Sequence, residues 1–415
     1  MDTHLDVIIV GGGMAGLTLA LALQSGGLDV AIIEKQPFSE QLEPGYDGRA
    51  SAIAYACFRQ WKALGVGDDL ESSACRMDEI FVTDGHLPGA ASRKPLPFFL
   101  NFKANEISDR TGDEPLGYMV ENRRVRQVLY DAVKARHINL IVPAEVIDSQ
   151  EIGGLAEVTL NTGQTLRASL IVSAEGRRSS LRDKAGIGHI NWDYDQSAVV
   201  ATVQMERPHN HVAYEHFLPS GPFAILPLND NRACIVWSEK HEKARALLSV
   251  SDGLFHEHLM GRFGEFLGEV QVVGQKFIYP LGLGLAEEMY KGRLALLGDS
   301  AHGIHPIAGQ GLNLGLKDVA ALAEVLVEAA RLGEDLGSPL VLERYAKWRR
   351  FDNVSTSVIM DGFVRLFSNG NPLLRAVRDV GMGLFNRVPH LRQFVMEDAG
   401  AATGDLPKLL RGEPI

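Results

Sequence analysis

Up to Glu34 the chain alternates apolar runs with a glycine-rich break, in an order that predicts strand, turn, helix, strand. Leu5 to Val10 is a short β-branched run, Gly11-Gly12-Gly13-Met14-Ala15-Gly16 follows, and Leu17 to Gln24 is rich in Ala and Leu with helical propensity. A second apolar run, Val30 to Ile33, ends at Glu34. The pattern returns late in the chain. Leu294 to Leu297 reads as a buried strand that stops at Gly298-Asp299-Ser300-Ala301-His302. The chain then passes Pro306 and reaches Gly309-Gln310-Gly311-Leu312-Asn313 before a helical stretch, Leu314 to Leu326. A third apolar run, Leu170 to Val172, leads into Ala174-Glu175-Gly176-Arg177-Arg178-Ser179-Ser180-Leu181-Arg182. By contrast, Tyr214 to Leu228 alternates apolar and polar positions with Gly-Pro and Pro punctuation and is followed by Ile235-Val236-Trp237-Ser238. That suits a strand wall over a pocket rather than a second nucleotide fold.

The first motif has the spacing of a dinucleotide fingerprint. Gly11 makes the tight turn, Gly13 lets backbone approach a pyrophosphate at the positive helix N-terminus, and Gly16 permits close helix-to-strand packing. Glu34 stands where a carboxylate accepts ribose hydroxyl protons, and its charge would repel a 2′-phosphate. FAD or NAD is therefore expected rather than NADP, and this motif alone does not choose between them. In the late motif, backbone N–H groups at a helix start are suited to negative charge on the N1/C2=O edge of a reduced isoalloxazine, and Asp299 to a ribityl hydroxyl.

The bulk numbers narrow the class. A chain of 415 residues with 46 % apolar and 22 % charged residues is a globular, enzyme-sized protein of two or three domains. Its net charge of -11 excludes a general nucleic-acid binder. Cys57, Cys75 and Cys234 form neither CxxC nor a His/Cys metal spacing, so free thiols in a reducing cytoplasm are expected and no metal. No basic leader and no stretch of eighteen uncharged apolar residues is found, so nothing is expected to span a membrane.

These motifs together resemble the FAD-dependent aromatic hydroxylases of the para-hydroxybenzoate hydroxylase type. Gly298-Asp299 with Pro306 and Gly309 to Asn313 carries the likeness, and Glu175 departs from it by standing where aspartate is usual. The family's arginine-containing flavin-side segment resembles Asp47-Gly48-Arg49-Ala50-Ser51-Ala52, and its polar cofactor contact falls on Asn122, which also reads as a helix N-cap. The segment from Tyr214 to Leu228, His302 through Pro306, and Gly404-Asp405-Leu406-Pro407 resemble the ubiquinone-biosynthesis branch.

The resemblance implies an α/β fold: a GxGxxG Rossmann-like FAD domain, an inserted mixed β-sheet substrate domain and a C-terminal helical segment. The expected boundaries are FAD domain at 1–74, 115–183 and 286–345, substrate domain at 75–114 and 184–285, and the helical segment at 346–415. It implies hydroxylation of a polyprenylated phenol through a flavin C4a-hydroperoxide, with molecular oxygen as co-substrate and NAD(P)H or another electron donor as reductant. The cofactor residues are Gly11, Gly13, Gly16, Glu34, Arg49, Asn122, Glu175, Asp299, Gly309, Gly311, Leu312 and Asn313. Pro306 is expected to fix the reactive edge of the ring, and His302 and His305 are candidate bases only because they adjoin the flavin loop; structural histidines are the commoner reading. Phe217, Phe223 and Trp237 are candidates for the substrate wall, or simply core.

No second GxGxxG follows a strand, so the reductant is expected to reach the flavin through the substrate domain or a partner. Between Phe363 and Met396, Arg365, Arg375, Arg378, Arg387 and Arg392 stand against Asp379, interleaved with apolar residues. This reads as a capping helical segment, as a peripheral contact with anionic lipid at the inner face of the membrane, or as a docking face for other ubiquinone-biosynthesis proteins. Other readings share the fold: another aromatic hydroxylase, a prenyl-chain reductase, or a non-catalytic FAD-containing member of a quinone-synthesis assembly. A flavin halogenase lacks support because no Trp-x-Trp-x-Ile-Pro segment occurs.

Overall fold

The structure is a computed structural model. It describes residues 4–84, 99–107, 112–218, 220–303, 310–367, 396, 400, 402 and 404–415. Strand Leu5–Val10, helix Met14–Ser25 and strand Val30–Ile33 form the expected opening unit, the two strands pairing in parallel. Val7 to Val10 and all of Val30–Ile33 are buried, as near-continuous apolar runs are when a parallel sheet is covered on both faces. Helix Met14–Ser25 has no polar stripe because it too is enclosed: Gly16 through Leu23 are buried, and helix Gln310–Arg331 packs against it.

Strands distant in sequence complete this sheet. Its order is Tyr290–Lys291, Leu294–Leu296, Thr165–Ser173, Leu5–Val10, Val30–Ile33, Asn139–Ile141, and the hairpin of Val146–Ile152 and Leu155–Leu160 attaches to Thr165–Ser173. The pairs linking Leu294–Leu296, Thr165–Ser173 and Leu5–Val10 are parallel and in register at their carboxyl ends: Val10 opposite Ser173, and Ser173 opposite Leu296. Three loops therefore leave one edge of the sheet side by side.

A second, mixed sheet lies in the middle of the chain. Its order is His302–Gly303, Val270–Ala286, His189–Met205, Arg232–Lys240, Gly221–Leu228, Val212–Leu218, Glu79–Asp84, Phe99–Lys103. The pair Val212–Leu218 and Glu79–Asp84 is parallel and the others are antiparallel. On its outer face Val199, Ile225, Phe223, Ile235 and Trp237 pack with Phe255, Leu259 and Phe263 of helix Asp252–Phe263. On its inner face Ala198, Val200, Ala213, Cys234 and Leu281 pack with Cys75, Met77 and Met119. Those last three belong to a three-stranded sheet, Ala50–Ala54, Gly117–Glu121, Cys75–Met77, which joins the two larger ones.

This arrangement corrects two expected wall residues. Phe223 and Trp237 are fully buried on the outer face, their ring centroids 6.0 Å apart, with Arg262 over the indole; they are core, not lining. Phe217 shares the inner face with Ala213, because alternate residues of a strand point the same way. Trp237→Ala is expected to cost about 3–5 kcal/mol of folding free energy in denaturant unfolding. The ligand affinity of the molecules that stay folded should not change.

Candidate functional site

The first loop at the sheet edge is shaped by close approach. Gly11 has φ +112°, and a Cβ there would lie 2.3 Å from the Ala174 carbonyl oxygen; one on Gly16 would lie 2.0 Å from the Gly11 oxygen. Only glycine fits either position. Gly13 differs, since a Cβ there meets nothing within 4 Å. Gly13 is the N-cap of helix Met14–Ser25, and no side chain caps that helix. Its first amides thus point from a smooth backbone into open space, the arrangement that receives a pyrophosphate. Glu34 holds this loop from the next strand: its Oε2 accepts the Gly12 N–H at 2.6 Å and its Oε1 the Gln36 N–H at 2.8 Å.

The second loop, after Thr165–Ser173, is closed by Glu175. Its carboxylate accepts from the hydroxyls of Ser173, Ser179 and Ser180 at 3.0, 2.7 and 2.8 Å, and from the Leu181 N–H at 3.1 Å. The longer acid, where aspartate is usual in the resembling family, is thus used inside its own turn. Arg177 from the same loop reaches Asp299 of the third loop, Nε to Oδ2 3.5 Å, with both side chains partly exposed. Arg182 fastens the two loops from beneath, donating to the carbonyls of Arg177 and Ser300, each at 3.2 Å.

The third loop rests on a buried charge that the sequence analysis did not single out. Asp318, on helix Gln310–Arg331, is fully buried. One oxygen accepts the Gly298 N–H at 3.1 Å and faces His302 Nε2; the other accepts from Arg349 Nε at 2.8 Å and Asn353 Nδ2 at 3.4 Å. Burial alone would raise this carboxyl, but His302 and Arg349 hold it down at about 2. His302 is consequently a brace for the loop, with its Nε2 committed to Asp318, rather than a base open to substrate. A sequence signal for Asp318 existed: it falls on the helical stripe of Leu314, Ala321, Leu322 and Val325, where an unpaired charge would not survive. Gly298, at φ +58°, brings this loop to the first one; a Cβ on it would lie 3.8 Å from Ala15 Cβ and 3.7 Å from Gly315 Cα.

A second network gathers Arg49 and Asn122. Asp47 accepts from Arg49 Nε at 2.8 Å, Arg126 Nη2 at 2.6 Å, Asn122 Nδ2 at 3.1 Å and the Tyr279 hydroxyl at 3.3 Å. Burial opposes its charge, yet the two arginines keep the Asp47 carboxyl far below the usual range. Asn122 begins helix Asn122–Ala135 without capping it; its Oδ1 accepts from the Ser51 hydroxyl at 2.6 Å. Arg49 lies over the Tyr279 ring, 4.6 Å from its centroid, and feels Asp299 as well as Asp47, which places this network beside the third loop. Asn313 completes the join: its Oδ1 accepts the Ala54 N–H and its Nδ2 donates to the Ala52 carbonyl, each at 2.9 Å. Gly311 and Leu312 stand in the first turn of helix Gln310–Arg331. His305, Pro306 and Gly309 lie outside the described residues.

Cys75, His209 and His211 also converge, but both ring nitrogens of His209 are engaged, by the His211 N–H and the Leu228 carbonyl. Among the described residues, no helix is long and apolar enough to cross a membrane.

Comparison with known proteins decides the ligand class. A family profile described as an FAD binding domain matches residues 4–351. The chain belongs to this family. It is 42 % identical to the ubiquinone hydroxylase UbiL of Rhodospirillum rubrum over 419 aligned positions, covering 100 % of this chain and 94 % of that one. It is 36 % identical to the 3-demethoxyubiquinol 3-hydroxylase of Escherichia coli, covering 95 % and 98 %. The human ubiquinone biosynthesis monooxygenase COQ6 is 30 % identical, with 95 % and 92 % covered. Among solved structures, p-nitrophenol 4-monooxygenase PnpA of Pseudomonas putida superposes with a TM-score of 0.79 at 20 % identity, over 98 % of this chain and all of that one. The fold is that of the FAD-dependent aromatic hydroxylases, and the sequence lies in their ubiquinone-biosynthesis hydroxylase branch. The protein is an FAD-dependent monooxygenase that uses molecular oxygen as co-substrate and NAD(P)H or another electron donor as reductant.

Asp318→Asn, which leaves Arg349 buried beside a neutral amide, is expected to cost about 3–5 kcal/mol of stability. The folded carboxyl, at about 2, lies below its ordinary 3.8, so its contribution is full above 3.8 and lost as pH falls through about 2. Acid unfolding followed by tryptophan fluorescence should therefore show a smaller dependence on pH below 3.8 in the variant than in the unmodified protein.

Proposed function

We propose that this protein hydroxylates the aromatic ring of a polyprenylated phenol in ubiquinone biosynthesis. The observation that carries the reading is the meeting of three loops at one sheet edge, in a chain that matches ubiquinone hydroxylases from end to end. FAD, when bound, takes electrons from reduced nicotinamide and activates oxygen. The residues of the chain do the rest. Amides following Gly13 hold the pyrophosphate, with Glu34 keeping their turn rigid and available to the ribose. Asp299 accepts from the ribityl chain while Arg177 orients it. First-turn amides at Gly311 and Leu312, joined by Arg49, face the ring edge where negative charge develops. Glu175 and Asn313 act through the backbone, by setting the loops. Pro306, Gly309 and His305 are assigned to the same flavin loop. The half-buried inner-face residues Val236 and Phe277, in line with Phe217, supply a dry wall for an apolar substrate.

Electrons reach the cofactor through the substrate domain or a partner, and the prenyl tail remains in or near the lipid. Phe351, Val354 and Val358, exposed at helical spacing on Pro339–Phe367, lead into the basic segment from Phe363 to Met396. That order supports peripheral membrane contact there, the same segment serving as a docking face for other enzymes of the route.

The test is direct. Purified protein should carry or regain FAD, and with reduced nicotinamide and oxygen should convert a prenylated phenol to a product one oxygen atom heavier by mass spectrometry. Gly13→Val, whose side chain enters open space in the fold, should lower FAD affinity at least about tenfold while leaving the apoprotein folded. A colourless protein indifferent to FAD would sink the reading. Flotation with anionic vesicles should retain the protein and lose the Phe351→Ser, Val358→Ser double variant; equal flotation refutes the membrane contact.

A further inference from the structure

Along strand Val212–Leu218, Tyr214 and His216 turn to the outer face, where both meet Phe266. Glu215 therefore points inward with Ala213 and Phe217. The strand registers set it in a row of hydrocarbon. Val82 lies opposite on one side and Ala224 on the other, and the row continues through Val236 and Val200 to Phe277. Val236 and Phe277 pack in one cluster with Ala50 and Ala52, and Ala52 is the residue whose carbonyl takes the Asn313 amide. The row thus runs from Glu215 to the strand clamped onto the flavin-side helix.

Glu215 is half-buried, and among the described residues no donor or cation pairs with its carboxylate. Burial pushes this carboxyl up to about 8, with no neighbouring charge contributing. The other buried or half-buried acids whose contacts are given above, Glu34, Asp47, Glu175 and Asp318, each accept from two or more donors. A lone carboxylate on an apolar wall gives no stability, since its desolvation is uncompensated. Such a group is mostly protonated below about 8, and its ionised form, which predominates above that, is a stronger base toward a phenol proton than an ordinary carboxylate.

We infer that Glu215 is the base that takes the ring hydroxyl proton of the phenol, an assignment that rests on the hydroxylase reading above. The phenol O–H bond breaks, the proton forms an O–H bond on a Glu215 oxygen, and the electron pair passes from the phenol oxygen into the ring. The enriched ring carbon then forms its bond to one atom of the two-electron-reduced oxygen as the O–O bond breaks. Molecular oxygen is the oxidant and reduced nicotinamide the two-electron donor; the second oxygen atom leaves as water. The attacked carbon releases its hydrogen as a proton, and Glu215 returns its own to the phenol oxygen.

The experiment uses the FAD-loaded full chain with a short-chain prenylated phenol and its O-methyl ether. Glu215→Gln should lower kcat by about 10²–10⁴ with KM little changed, and divert nicotinamide oxidation to hydrogen peroxide. Glu215→Leu, whose side chain matches the apolar row, serves as the variant that keeps the fold, and FAD content should be unchanged in both. In equilibrium binding without turnover, the unmodified protein should prefer the phenol to its ether by about tenfold or more, and Glu215→Leu should lose that preference. Unmodified coupling and kcat in Glu215→Gln, or an undiminished preference in Glu215→Leu, overturns the assignment. Failure of the unmodified protein to hydroxylate overturns the hydroxylase reading instead.

Discussion

The parallel register of three strand ends is the constraint from which the site follows. Val10, Ser173 and Leu296 lie abreast, although more than a hundred residues separate each from the next. Parallel strands demand apolar cover, and the enclosed helix Met14–Ser25, packed against helix Gln310–Arg331, supplies part of it. With that cover in place, the loops have nowhere to go but outward at the carboxyl edge. Ligands of open α/β sheets bind at such edges.

Each loop is then held by buried polar atoms rather than by hydrophobic contact. Asp318 holds the Gly298 amide and His302, Glu175 closes the turn behind Ser173, and Asp47 gathers two arginines, an asparagine and a tyrosine. Bringing these carboxylates out of water is unfavourable by itself, and several donors on each offset it. The benefit is geometric: a carboxylate with four partners admits few loop conformations. The inner face of the mixed sheet is built on the opposite plan, broad and apolar, and suits an oily ring better than a nucleotide.

How much of this was legible in the residues follows from how local each signal is. The opening strand, turn, helix and strand were readable because the glycine spacing and the apolar runs are contiguous. Gly11 and Gly16 meet backbone within the same unit or the adjacent loop. Asp318 was harder, since its partners come from Gly298, His302, Arg349 and Asn353, and only its place on an apolar helical stripe betrays it. Phe223 and Trp237 share a face because their strands pair at those residues, and alternation within one strand says neither that nor which neighbour the face meets. The helix Asp252–Phe263 took that side. Glu175 shows the limit of reading a motif by position, because one extra methylene lets the carboxylate reach back to three serines.

Asn313 acts on its neighbour as though it were a strand, offering one acceptor to the Ala54 N–H and one donor to the Ala52 carbonyl of Ala50–Ala54. Such a two-point splice resists shear as well as separation, which a single bond does not. The start of helix Gln310–Arg331 and strand Ala50–Ala54 are thereby coupled mechanically. A displacement of either is transmitted to the other through two bonds that would have to break together.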